Sequence, residues 1–481
     1  MQDSPGQTTT RSHAPHPARL ARAAATPPVR TLARAMLLAI LASLAFVGWR
    51  AAMLRAPDFE FFYKGGRWLI DHGSMDRGVD LLPAGGVVPR GTIEWYLPFV
   101  SRLMTLLAWL PQQTAGAVWL GLNLAAAAAV ARLTAVHLMG FGRQAWEIAV
   151  LVPVLVLIVA WYWEFRLNQI NVLTLLLLLA SFVHWRQGRG AVAGFWLGLA
   201  ILLKLTPALL LAWFGLKREW RTVAVACATI AVAGPLADVA ALGPRLTAET
   251  YRLWWHEAVV EGSHRGNIVA QREMDWRNQA TGAVLCRWLH PTSWSLRFDN
   301  DPRARVVAAE QYLNIADWPR EHVATLVQAL SLASVVLLAW LARRPARQLG
   351  EWQLRAEYAL FVLAMLWLMP VMRRYHLIWA LPALGVLAAA LLHADWRSAW
   401  TKLAAALGLG MLVGQLSLLG KELTGSNLLE AMGVLLAGVV CLAGALVVML
   451  IRLEKAPAWA TKSADGAAPL GSAPVPSVSC R

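Results

Sequence analysis

The stretch "AMLLAILASLAFVGWRAAML" (residues 35–54) runs directly into "RAPDFEFFYKGGRWLIDHG" (residues 55–73). A helix over the first, about 20 residues at 1.5 Å each, is as long as the ~30 Å hydrocarbon core of a bilayer is thick. An Arg-bearing arm precedes it and further apolar runs follow, so it reads as a retained first membrane helix and not as a cleaved leader. The second stretch puts an acid, Asp58, at the membrane edge. Beyond it Phe59, Phe62, Tyr63, Leu69 and Ile70 share one helical face, and Glu60, Lys64, Arg67 and Asp71 share another. That pattern predicts an amphipathic helix lying in the interface plane. Asp58 stands at its N-terminal end, where an aspartate either caps the helix or serves as a base; spacing leaves both readings open.

Composition agrees with a membrane setting. Of 481 residues, 58% are hydrophobic and 15% charged, which suits a polytopic membrane protein better than a soluble one. The net charge of +16 comes from basic residues scattered at the ends of apolar runs. No aromatic–basic nucleic-acid module accompanies them, so they are read as topology signals and contacts to anionic lipid headgroups, with no nucleic-acid partner. Cys227, Cys286, Cys441 and Cys480 have no metal-binding spacing, and no disulfide is expected. Cys227 and Cys441 fall in apolar runs and read as packing residues; Cys286 falls in a long polar loop.

Length and apolarity predict about twelve spans, near 35–54, 96–111, 114–138, 147–163, 168–185, 190–214, 221–242, 322–342, 356–372, 374–392, 398–420 and 427–452. Residues 1–30, rich in Pro, Thr, Ala and Arg, read as a disordered arm, and 456–481 as a matching tail. The basic arm (Arg11, Arg19, Arg22, Arg30, Arg34), the 343–355 loop and the flank with Arg452 and Lys455 are all placed inside by the positive-inside rule. Both termini are then cytoplasmic, in a multi-pass plasma (inner) membrane protein. The two long polar interruptions, 55–95 and 243–321, face outward. The run 190–214 resists, having basic clusters at both ends. The insert "WEFRLNQIN" (163–171), and Lys204 with Pro207, predict broken helices there, which membranes tolerate only where protein or a watery cavity lines them.

Several polar residues ask for a role. Lys204 sits about ten residues from either end of its run, a costly position that predicts an interior site with an anionic partner. Asn168, Gln169 and Asn171, with Glu164 and Arg166 one turn earlier, read either as interhelical glue or as a site. Arg373, Arg374, Tyr375 and His376 lie between two spans on the expected outer side, where a double arginine calls for an anion such as phosphate, or for interfacial anchoring beside Trp379. The second outer loop carries His264, Arg265, Asn267, Arg272, Asp275, Arg277, Asn278 and Gln279, either a solvated loop or a lid over a sugar phosphate. There is no phosphate-binding loop, dinucleotide fingerprint or hydrolase elbow.

In order, several stretches resemble glycosyltransferase family 87, the polyprenol-phosphate-sugar-dependent enzymes of the multi-span C type (GT-C), which include α-(1→2) mannosyltransferases and arabinofuranosyltransferases. "DFEFFYKGGRWLIDHG" is similar to the family's Asp-Phe-x-x-Tyr-Tyr opening, and "WYLPFVSRLMTLLAWLP" to its Tyr-x-Pro-Pro-Phe segment. "NQINVLTLLLLLASF" and "GLAILLKLTPALLL" resemble its Gly-Gln-x-Asn and Lys-x-x-Pro helices. "RNQATGAVLCRWL" resembles its Asn-Gln-Ser-Leu loop, and "MPVMRRYHLIWALPAL" its Ser-Pro…His-Tyr helix. The departures are Phe62 for the first Tyr, Pro98 alone for the paired prolines, Asn168 for Gly, and Ala280 for Ser.

The resemblance implies an all-α polytopic membrane fold, a GT-C-like bundle of about 12 transmembrane helices with interfacial helices in two outer loops. It implies one glycosyltransferase domain over 31–455, moving a hexosyl unit (mannosyl by family) or a pentosyl unit from a polyprenyl-phosphate donor to a lipid-linked or glycan acceptor. Asp58 would be the general base of an inverting attack. Lys204, Arg373, Arg374, His376 and Arg277 (or Arg265) would hold the donor phosphate. Tyr63, Tyr96, Asn168, Gln169, Asn278 and Gln279 would contact sugar and acceptor, with no metal or other cofactor. The rival readings are a flippase for lipid-linked glycans, which should show repeated halves, an O-antigen polymerase or ligase, and a purely structural membrane protein.

Overall fold

Proline and glycine decide where many of this chain's helices begin and end. The computed structural model describes residues 26–54, 56–73, 79–81, 87–89, 96–141, 146–255, 276–294, 311–392, 399–413 and 426–455. Most of the arm expected over 1–30, the whole tail over 456–481 with Cys480, and the loop residues His264, Arg265, Asn267, Arg272 and Asp275 lie outside the described residues.

Among the described residues the architecture is all-helical apart from one small hairpin. Helix α1 (Pro27–Leu54) leads into α2 (Pro57–His72), and β1 (Val79–Leu81) pairs antiparallel with β2 (Val87–Pro89). Then come α3 (Pro98–Ala108), α4 (Gln112–Leu133, continued to Leu138), α5 (Trp146–Val156), α6 (Ile158–Leu167) and α7 (Asn171–Arg186). Next are α8 (Gly190–Leu203), α9 (Leu209–Leu216), α10 (Trp220–Ala231), α11 (Ala237–Leu242), α12 (Pro244–Trp254) and α13 (Thr281–Leu289). The last helices are α14 (Arg320–Leu341), α15 (Glu351–Leu368), α16 (Leu381–Leu392, entered by the 3₁₀ turn Arg374–Ala380), α17 (Ala399–Val413), α18 (Ser426–Ala431) and α19 (Val434–Lys455).

Among the described residues six helices are long and apolar enough to cross a membrane, and α5 with α6 would make a seventh span bent by 78°. Other segments expected as spans are shorter apolar helices: α3, α7, α8, and the turn-plus-helix Thr206–Leu216. The shortening has local causes. Asn168 adopts left-handed backbone (φ 52°), which ends α6, and Lys204 is extended (φ −156°, ψ 134°), which ends α8 before Pro207. Both breaks fall where the polar inserts in the sequence predict them.

Burial sorts the helices into a centre and a rim. In α15 every residue from Ala356 to Leu366 is buried, and the Arg374–Leu391 segment is 78% buried, as helices apolar all round must be at the middle of a bundle. Helices α1, α10 and α14 leave most of their apolar surface outward, toward lipid. Cys227 is accordingly exposed on α10 and not packed, whereas Cys286 is buried in α13 and not in open loop. Glycine sets one close approach. A Cβ on Gly194 of α8 would stand 2.4 Å from the Thr222 carbonyl oxygen on α10, so this contact requires the bare backbone.

Helix α2 confirms the amphipathic reading. Phe59 and Phe62 are buried, while Lys64–Glu60 (2.6 Å) and Arg67–Asp71 (2.9 Å) pair along the polar face. Its N-cap is Ala56, with Asp58 inside the first turn, so Asp58 does not cap this helix.

A buried ion pair ties the α9–α10 connection to α15. Lys217, which pairs with Glu357, also donates to the carbonyls of Ala342 and Arg344 at 2.9 Å each, and Trp213 Nε1 donates to Glu357 at 3.3 Å. Lys217→Met leaves Glu357 an uncompensated buried charge, so it is expected to cost about 3–5 kcal/mol. The readout is the unfolding midpoint in detergent. The double variant with Glu357→Met should recover most of that loss, and an unchanged midpoint in the single variant would show that the pair carries no stability.

Candidate active site

The candidate cluster forms where four backbone interruptions meet. Phe59 and Phe62, buried behind α2, pin its first turn, and Phe62 meets the Tyr96 ring edge-on at 5.0 Å. Asp58 is half-buried, and its Oδ2 accepts a hydrogen bond from Gln169 Nε2. Burial pushes the Asp58 carboxyl from 3.8 up to about 6, against the opposing pull of the Gln169 hydrogen bond and the charges of Arg373 and Lys204. A carboxylate with a pKa just below neutrality is ionised in use yet basic enough to take a proton.

Gln169 is aimed by the turn between α6 and α7. Asn168 occupies the left-handed region that asparagine tolerates better than most residues, and its carbonyl accepts from Trp119 Nε1 at 3.0 Å. Its carboxamide is buried with no hydrogen-bond partner. Glu164, in the last turn of α6, accepts from the Val172 amide (2.9 Å) and from Asn171 Nδ2 (3.0 Å), satisfying the start of α7.

Asn171 Oδ1 in turn accepts from Lys204 Nζ at 2.8 Å, which also lies 2.8 Å from His376 Nε2. The ammonium sits 5.1 Å above the Trp379 ring, whose Nε1 donates to the Asn171 carbonyl at 3.1 Å. His376 Nδ1 accepts from the Arg373 amide at 3.0 Å, so one ring joins the lysine to the arginine-bearing turn. Asp58, Gln169, Lys204, Arg373 and His376 are thus gathered in one cluster, with Tyr96 packed behind it.

The remaining candidates are placed differently. Tyr63 spends its hydroxyl on the Leu110 carbonyl at 2.8 Å. Arg374 is ion-paired with Glu430 of α18 and lies between Trp163 and Trp276, at 6.0 and 5.3 Å from their rings. Asn278 Oδ1 accepts from the Ala280 and Met372 amides (3.0 Å each), and Gln279 Nε2 donates to the Trp276 and Glu430 carbonyls (2.6 and 2.8 Å). These amides fasten the 276–280 segment to the break after α15. Arg277 is half-buried within that segment.

The sequence marks Glu164 and Asn171 as polar inserts without assigning them to the site, and it does not point to Glu430 as the partner of Arg374. An acid inside an apolar run, one turn from a row of amides, was the available signal for Glu164. Nothing in local sequence links Glu430 to Arg374, 56 residues away.

The family model described as "Glycosyltransferase family 87" matches residues 95–370, more than half of the chain, beginning beyond Asp58. A curated relative from Mycobacterium tuberculosis, a polyprenol-phosphate-mannose-dependent alpha-(1-2)-phosphatidylinositol mannoside mannosyltransferase, is 28% identical over 365 residues, covering 62% of this chain and 79% of that protein. Its namesake from Mycolicibacterium smegmatis is 27% identical over 412 residues, covering 79% of this chain and 80% of the relative. No solved structure matches the chain. With its apolar helices and a family match over most of the membrane domain, this multi-pass membrane protein belongs to glycosyltransferase family 87.

Proposed function

We propose that this glycosyltransferase moves a mannosyl residue from a polyprenyl-phosphate donor to a hydroxyl of a lipid-linked acceptor at the outer face of the plasma membrane, with Asp58 as general base. The donor class is supported by the two relatives, whose names specify polyprenol-phosphate mannose and an acceptor of the phosphatidylinositol mannoside type. The observation that carries the mechanism is a half-buried carboxylate held by an amide, with Lys204 and Arg373 near enough to lower its pKa.

The chemistry follows from that pairing. Asp58 removes the acceptor hydroxyl proton as its oxygen attacks the anomeric carbon from the face opposite the phosphate. The new C–O bond forms while the bond to the phosphate oxygen breaks, and the electron pair leaves on polyprenyl phosphate. Lys204 and Arg373, with His376 orienting the lysine, neutralise the charge that develops there. A single displacement inverts the centre, so an α-linked product requires a β-linked donor. Tyr96, Asn168 and Gln169 border the sugar. Arg374, Arg277, Asn278, Gln279 and Tyr63 support the wall around it.

The domain is proposed to cover 31–455, with the basic flanks and both termini cytoplasmic and the Asp58 end of α1 outward, on the support of the arginine distribution.

Asp58→Asn and Asp58→Ala are expected to lower kcat by about 10²–10⁴-fold while donor binding stays within a few-fold of wild type. Transfer at the normal rate in either variant would remove Asp58 from the chemistry.

The base must be ionised, so kcat/KM should fall with acidity below about pH 6. Gln169→Leu removes a hydrogen bond that favours the carboxylate, so the acid limb should move to higher pH. An acid limb that stays in place would assign it to another group.

Lys204→Met should cost about 1.5–3 kcal/mol of kcat/KM, the worth of a charged hydrogen bond, or roughly 10–150-fold. Unchanged kinetics would free Lys204 from any part in donor binding.

A further inference from the structure

A second polar site lies at the other end of α1, away from Asp58. A cavity of about 260 Å³ is bordered by Arg34, Leu37, Leu41 and Leu44 of α1, by Ala127 and Ala131 of α4, and by Trp146, Glu147, Val154 and Trp161 of the bent pair. Its walls are apolar except at the mouth. There Arg34 donates to Glu147 Oε1 through Nε (3.2 Å) and Nη2 (2.7 Å). The pair is unequal: the Glu147 side chain is 2% exposed and that of Arg34 is 59% exposed.

Glu147 is left incomplete. Its Oε2 is buried beside an apolar cavity and has no hydrogen-bond partner, a costly state for a carboxylate oxygen. One turn before Arg34, Arg30 Nε is also buried without a partner. Arg30 stands one turn beyond the residues that border the cavity, and with it the three side chains sum to one positive charge. A molecule that completes this mouth therefore brings a hydroxyl donor for Glu147 and one negative charge for Arg30 and Arg34.

Depth defines the rest of the molecule. From Arg34 to Leu44, ten residues of helix cover about 15 Å, half of the ~30 Å hydrocarbon thickness. From Arg34 to Leu54 the same helix covers about 30 Å, so the mouth and Asp58 lie at opposite membrane surfaces. The cavity is one leaflet deep, which suits an acyl chain entering from its own leaflet.

We propose that this cavity is a binding site for an anionic phospholipid with a hydroxyl-bearing headgroup, in the leaflet opposite the Asp58 site. The phosphodiester lies on Arg30 and Arg34, a headgroup hydroxyl donates to Glu147 Oε2, and one acyl chain lies along Leu37, Leu41 and Leu44. The site is independent of the proposed chemistry, since none of these residues belongs to the Asp58 cluster.

The test is native mass spectrometry of the full-length protein released from nanodiscs holding equal phosphatidylglycerol and phosphatidylcholine. Wild type should keep one phosphatidylglycerol per chain, at least tenfold over phosphatidylcholine. Leu41→Trp, which fills the cavity, should lose the adduct. The triple variant Arg30→Gln, Arg34→Gln and Glu147→Gln, which leaves the cavity open and its mouth uncharged, should lose the preference. Equal retention of the two lipids by wild type, or an undiminished adduct in Leu41→Trp, would overturn the proposal. Wild-type preference and the triple variant decide it even where the tryptophan variant does not fold, since an undiminished preference in the triple variant would also overturn the proposal.

Discussion

Everything at the site hangs on one chain of hydrogen bonds, from Glu164 through Asn171 to Lys204 and His376. Each of these residues stands where a helix stops. Glu164 closes α6, Asn171 opens α7, Lys204 follows α8, and His376 lies in the turn before α16. A helix end in an apolar slab leaves peptide groups that water cannot reach, and each unsatisfied group costs several kcal/mol. The polar side chains that repair these ends are the same ones that assemble the cluster. Structural necessity and the candidate site share their atoms.

Six acids of the bundle fall into two sets. Glu147, Glu357, Glu430 and Asp238 each meet a cation directly, in Arg34, Lys217, Arg374 and Arg102. Such pairs neutralise themselves and hold helices together. Asp58 and Glu164 are instead held by the amides of Gln169 and Asn171. An amide orients a carboxylate without cancelling its charge. Asp58 is thereby directed while keeping its charge.

The bundle also carries different chemistry at its two ends. Near Asp58, interrupted helices gather polar groups from α2, α6, α7, α8 and the turn before α16. Near Arg34, the described residues place one ion pair beside an apolar cavity.

Much of this was legible in the sequence. Apolar run length determined that the chain is a polytopic helical membrane protein, because a bilayer leaves backbone few other ways to satisfy itself. The period of 55–73 determined the interfacial helix, and the insert "WEFRLNQIN" and the pair Lys204–Pro207 marked the breaks. Tertiary structure alone decided what those residues do with their polar atoms. It took Asp58 away from its expected cap and gave it to Gln169, 111 residues on. It spent Tyr63, Asn278 and Gln279 on backbone carbonyls and amides, and Arg374 on Glu430. A periodicity reports which face of one helix is apolar. Which distant partner meets a given polar atom depends on how helices cross, and that geometry is set by packing across the whole bundle, including glycines such as Gly194 that let two backbones touch.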